Sequence, residues 1–120
     1  MAAPNIVNVV TITGKTVGAA LGTTLTTSLL ANSASSGKVF KVNTILVSNV
    51  DGTNNVDITV DLYDGSTAYK IANTINVPAD STLVLLEKSS FIYLEEGWSI
   101  RGGAGAASDA EVIISYEEIS

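Results

Sequence analysis

The sequence predicts an all-β fold, an antiparallel two-sheet β-sandwich, and three observations carry that expectation. Apolar and polar residues alternate with period two in several runs. The runs are short, at spacings of about 8–12 residues, and Gly, Pro and Asp turns separate them. No long stretch has helical periodicity, and no repeat of fixed period occurs. A jelly roll and an immunoglobulin-like sandwich both fit, and the sequence does not choose between them.

The clearest element is "VDITVDLYDG". Val56, Ile58, Val60 and Leu62 fall on one face, and Asp57, Thr59, Asp61 and Tyr63 on the other. Asp64-Gly65 then gives a hairpin signal. In "AYKIANTINV", Tyr69, Ile71, Ile75 and Val77 are expected inside, with Lys70, Thr74 and Asn76 outside. "VFKVNTILVSNV" and "TLVLLEK" are apolar on both faces, as in strands covered on both sides or touching another subunit. After the turn at Glu95-Glu96-Gly97, Trp98 and Ile100 start a strand that fades into "GGAGAAS". "AEVIISYEEI" is the last strand, with Val112, Ile114 and Tyr116 opposite Ile113 and Ser115.

The first third is less regular. "NIVNVVTIT" reads as a strand. The Gly-, Ala- and Thr-rich stretch after it reads as strand or extended arm, because dense threonine disfavours the helix that Leu25, Leu29 and Leu30 would otherwise suggest. The expected organisation is one domain overall, with residues 1–37 a strand and arm-like segment and residues 38–120 the sandwich body.

The 120 residues carry a net charge of −6, from 12 acidic and 6 basic side chains. Only 15% are charged, against about 25% in ordinary globular chains. A polar but sparsely charged surface suits dense packing against neighbouring chains. No basic run is present to displace counterions from phosphates, so neither nucleic acid nor an anionic membrane is an expected partner. No apolar run reaches transmembrane length. Met1-Ala2-Ala3-Pro4-Asn5 lacks the pattern of a signal peptide, so the chain is expected to act where it is made or to leave the cell by lysis or assembly.

The chain contains no histidine and no cysteine. That removes the commonest general base, the commonest zinc ligand and the Ser-His-Asp and Cys-His arrangements. No catalytic residue, cofactor or metal is therefore expected. The glycines at 102, 103 and 105 lack a phosphate-loop context and read as a flexible hairpin loop. Adjacent Glu95 and Glu96 would point to opposite strand faces and read as a solvated turn. Asp51, Asp57, Asp61 and Asp64 read as solvent-facing charges. The spacing around "DGTNNVD" does not match a calcium loop, and Asp57 and Asp61 lie about 13 Å apart along an extended strand. The large amphipathic and exposed-apolar side chains remain. Trp98, Tyr93, Phe91, Leu25 and Leu29 are the candidate interface anchors, since aromatic side chains concentrate energy at contacts.

Several stretches have a shared grammar: Val47-Ser48-Asn49 closing one strand, Val77-Pro78-Ala79 before Thr82-Leu83-Val84-Leu85-Leu86, Tyr93 to Gly97, and Ile114 to Ile119. From Lys38 to the C-terminus the chain thereby resembles small virion structural proteins of tailed bacteriophages. Trp98 departs from that pattern, which has a small or acidic residue there. The resemblance implies a non-enzymatic β-sandwich that decorates or cements the capsid, often as a trimer, or sits on tail or fibre parts. The implied partner is the major capsid protein, or tail and fibre proteins, and the implied location is the capsid surface of a virion assembled in the host cytoplasm. The motifs contain no functional residues to carry over. A carbohydrate-binding module with an exposed aromatic is the alternative from another class.

Overall fold

Alternation places every second side chain of a strand on one face, and burying those faces against each other makes a sandwich. The computed structural model describes residues 4–120. The described residues form strands β1 (Ile12–Ala20), β2 (Ser28–Ala31), β3 (Val39–Asn49), β4 (Val56–Tyr63), β5 (Ala68–Val77), β6 (Thr82–Leu86), β7 (Ile92–Leu94), β8 (Ser99–Ala104) and β9 (Ala110–Ile119), with one 3₁₀ turn at Lys88–Ser90. All pairings are antiparallel. One sheet, A, runs β1-β9-β3-β6, with β7 also on β3; the other, B, runs β2-β8-β4-β5. The chain switches sheet at nearly every step. That is the order of a jelly roll, so the topology left open by the sequence is settled against the immunoglobulin arrangement.

The core lies between the sheets. Ile45 and Ile114 from sheet A meet Ile58 and Ile100 from sheet B, with Leu21 and Leu94 also fully buried. Each such side chain stabilises the fold by roughly 1.5–3 kcal/mol relative to exposure. The four inward residues expected on β4, Val56, Ile58, Val60 and Leu62, do pack inward. On β5 the alternation breaks. Ala72 is buried, whereas Tyr69 and Ile75, expected inside, are 56% and 41% exposed. β5 is the outermost strand of its sheet and its register with β4 shifts twice. Thr74 takes a φ of 53° at the first break, and its N–H donates to Thr59 Oγ1 at 3.1 Å.

The first third departs most from expectation. Residues 6–10 are turns and bends rather than a strand, with Asn5 Oδ1 accepting from Val7 N at 2.9 Å. The regular strand is instead the Gly/Ala/Thr run Ile12–Ala20, paired along its whole length with β9. Ser28–Ala31 pairs with β8 in the opposite sheet, and Leu21 and Leu30 between them enter the core. Residues 12–31 are thus paired into both sheets rather than extended away from them. Gly102 and Gly103 are likewise strand rather than flexible loop. A Cβ at Gly103 would lie 2.6 Å from Thr24 O, and one at Gly102 2.7 Å from Thr59 O. Backbone approaches there too closely for a side chain.

Two buried asparagines tie the sheets together, one near each end. Asn49, ending β3, donates to Val77 O of β5 and to Asn54 O, both at 2.9 Å, and its Oδ1 accepts from Asp51 N at 2.9 Å. Asn32, after β2, donates to Leu94 O of β7 at 3.0 Å and to Lys38 O at 2.9 Å, and accepts from Ser36 Oγ at 2.6 Å. Removing such a side chain strands buried backbone groups, which water then satisfies poorly. Asn49→Ala should lower unfolding free energy by about 2 kcal/mol in urea titration, with an unchanged m-value. A loss below about 0.5 kcal/mol would show that the clamp is not structural.

Candidate interaction surface

The strands that read as apolar on both faces converge on the outside of sheet A. Leu46 of β3 is the register partner of Val84 on β6 and of Ile113 on β9, and Ile113 in turn faces Gly18 on β1. While Ile45, Val47, Val112 and Ile114 point into the core, this row points out. Val84 is 49% and Ile113 45% exposed, with Leu46 half-buried between them. The rows on either side are small and polar. Ser48 and Thr82 hydrogen-bond at 3.0 Å on one side, and Thr16, Ser115 and Thr44 align on the other. The result is a shallow apolar strip flanked by small polar residues, with Glu111 at its margin and the Lys41–Glu117 pair farther along the same face.

A second patch lies farther along the same sheet. Tyr93 pairs with Lys41 across β7 and β3. Phe91 and Tyr93 meet edge-on with centroids 5.4 Å apart, and Lys41 Nζ sits 4.4 Å from the Phe91 ring centre. Both rings are somewhat over one third exposed. The five anchor candidates are not one site. Phe91 and Tyr93 are together. Leu25 is exposed on the loop between β1 and β2, and Leu29 is half-buried against the core beside Gly102. Trp98 is also half-buried against the core, with its carbonyl accepting from Asn32 N at 3.0 Å. The strip of Leu46, Val84 and Ile113 was not among the candidates. Its signal was the double apolarity of β3 and β6 together with Ile113 on the outer side of β9, and only the register puts them in one row.

Sheet B carries a charged cluster that alternation assigned to water. Asp61 is 1% exposed. Its register partners are Arg101 on β8 and Lys70 on β5. Arg101 donates to it through Nε at 2.9 Å and Nη2 at 3.1 Å, and Lys70 Nζ lies 3.6 Å away. Arg101 also stacks over Tyr63 at 4.0 Å, and Asp61 beside it raises the guanidinium pKa still further. A forked pair of this geometry fixes β4 against β8. Asp51 and Asp64 act locally: each accepts backbone N–H groups of its own turn, Thr53 with Asn54 and Thr67 with Ser66, and each pKa falls for that reason. Glu96 accepts from Gly37 N at 3.0 Å. Among the described residues no three Asp or Glu side chains are grouped to hold a metal ion.

Near the end of β9, Glu118 accepts from Lys38 and from Lys15, the latter at 3.0 Å. These bonds hold its carboxyl below the usual range, Lys38 contributing most. In return, Glu118 raises the Lys15 pKa.

No family model matches the chain, and no curated protein matches it. Among solved structures, two of a pentameric capsid protein isolated from metagenomic phage sequences align with it at 14% identity and a TM-score of 0.41. The alignments cover 85% of this chain and 60% or 59% of the other, so the chain spans less than two thirds of those proteins' length.

Two outcomes follow from the charged groups. Asp61→Ala leaves a largely buried guanidinium unpaired and should cost about 3 kcal/mol in denaturant unfolding, whereas Lys70→Ala, with its exposed cation, should cost under about 1 kcal/mol. Glu118 has its folded pKa below its unfolded one, so its contribution is present above pH 4.5 and is lost as pH falls through the folded value. Glu118→Gln should therefore flatten the acid side of the stability curve below pH 4.5 and leave the slope between pH 6 and 8 unchanged.

Proposed function

We propose that the chain is a non-enzymatic structural protein of a tailed-phage virion, and that it decorates or cements the head by adhering to the major capsid protein. The observation that carries this reading is the outward row of Leu46, Val84 and Ile113 on a sheet face with few charges. Exposed apolar side chains aligned across three strands, ringed by small polar ones, match the anatomy of a contact: an apolar centre with a polar rim. Phe91 and Tyr93 extend the contact along the same sheet. The strand-and-turn motifs from Lys38 onward support the phage assignment, and the trimer common in that group is the expected copy number on the shell.

The mechanism is adhesion. A protein that binds only the assembled shell stabilises it by mass action, in proportion to the logarithm of free protein over its dissociation constant. Neither a nucleophile nor a redox group takes part. The arm role first expected of residues 1–37 narrows to residues before Val10, because β1 and β2 belong to the sheets and Val10 and Thr11 bond to Ser120.

Immunogold labelling of particles made from the encoding genome should decorate the whole head. Label confined to one vertex or to the tail would replace this reading with the tail or fibre one. Ile113→Glu should lower head occupancy at least about tenfold while shifting unfolding free energy by less than about 0.5 kcal/mol, because the side chain already faces water. Full occupancy by that variant would remove the strip from the contact.

A further inference from the structure

We infer that the recess beside Ile113 on the outer face of sheet A takes a long cationic side chain, arginine or lysine, from the protein that covers that face. The inference rests on the adhesive role proposed above and names the chemistry of the partner.

The recess exists because β1 is poor in side chains where it passes Ile113. Gly18 is the register partner of Ile113, and Ala19 and Ala20 follow it. With Ser48, Glu111 and Ile113 they enclose a volume of about 320 Å³. Its two sides differ. The Ile113 side is apolar and continues into the row of Leu46 and Val84. The other side carries the Glu111 carboxylate, two residues along the same strand face and so about 7 Å from Ile113. An apolar wall with one carboxylate at that spacing suits an aliphatic stem with a cationic head, because such a side chain lays its stem on apolar surface and keeps its charge at a polar partner. A purely apolar knob would cover Glu111 and leave it unpaired, at the expense of its hydration. An acidic knob would meet a like charge.

Glu111 has no counter-charge in its own chain. Among the described residues it makes no ion pair. Lys15, the one cation of β1, lies five register steps away, about 17 Å along the sheet, and is engaged by Glu118 at 3.0 Å. The loops at the Glu111 end of the sandwich add Asp51, Asp80 and Asp109 and hold no Lys or Arg. Hydrogen bonds tie these loops together, Asp80 N to Asp51 O at 3.3 Å and Val50 N to Asp109 O at 2.8 Å. The cations are elsewhere. Lys38 and Lys41 lie against Glu118 and Glu117, Lys70 and Arg101 against Asp61, and Lys88 lines a separate recess with Asn43. The field over the recess is therefore negative. A second copy of the chain, also at −6, brings no surplus of positive charge to it, so the complementary charge comes from a different protein.

Stem and head can be tested separately by titrating the purified chain onto heads made from the encoding genome with this gene removed. Glu111→Gln keeps the shape and removes the charge. It should raise the dissociation constant about tenfold at about 0.05 M salt and less than about twofold at about 0.5 M, because salt screens the attraction that was lost. Gly18→Val fills the recess without strain: the φ of Gly18 is not positive, and a Cβ there would meet only Val112 O, at 3.8 Å. It should raise the dissociation constant at least about tenfold at both salt concentrations, with an unchanged melting temperature. Glu95→Gln makes the same charge change on an exposed turn away from the recess and should bind as the wild type does. Wild-type affinity of Glu111→Gln at low salt, wild-type affinity of Gly18→Val, or an equal loss with Glu95→Gln overturns the inference and leaves the adhesive role standing. A wild-type chain that binds the heads at neither salt concentration overturns that role, and the inference with it.

Discussion

The structure depends on keeping one set of alternate side chains dry between two sheets. Ile45, Ile58, Ile100 and Ile114 form the centre of that layer, and burial of the layer as a whole supplies most of the driving force. A two-sheet layer is open at its ends, where backbone carbonyls would otherwise meet water or nothing. Asn32 and Asn49 close those ends by bonding to carbonyls of the opposite sheet. The hydrophobic layer gives the two sheets a reason to meet, and the amides fix how they meet.

That arrangement has consequences for the outer faces. Sheet B is pinned from outside by Asp61 and Arg101 and is crowded by the Gly22–Thr24 backbone over Gly103. Sheet A has no such cover, so its outward row stays free. The division of labour follows from packing: one sheet is stiffened by a buried ion pair, and the other presents a smooth surface. Around the apolar row of sheet A, small polar side chains carry little hydration to lose when the face is covered.

Net charge and its placement act at longer range. The acidic end repels anions and like molecules in the same orientation, and the mixed end balances nearly every cation against a carboxylate. At physiological salt such asymmetry is felt only within a Debye length of about 8 Å.

The sequence by itself determined the class of fold and the strands of its body. The hairpin of β4 and β5, the turns at Asp64 and Pro78, the doubly apolar strands β3 and β6 and the alternating last strand β9 were legible because alternation and turn residues act locally. Tertiary structure decided the rest. Strand order turns on which distant runs pair, and no local pattern encodes that. Asp61 looked solvated because alternation shows which face a residue takes but not what covers that face; Arg101, forty residues away, covers it. The glycines of β8 looked like a loop because close backbone approach leaves no side chain in the sequence to reveal it. The strip of Leu46, Val84 and Ile113 existed in the sequence as three separate excesses of apolar residues, and long-range register alone made it one surface.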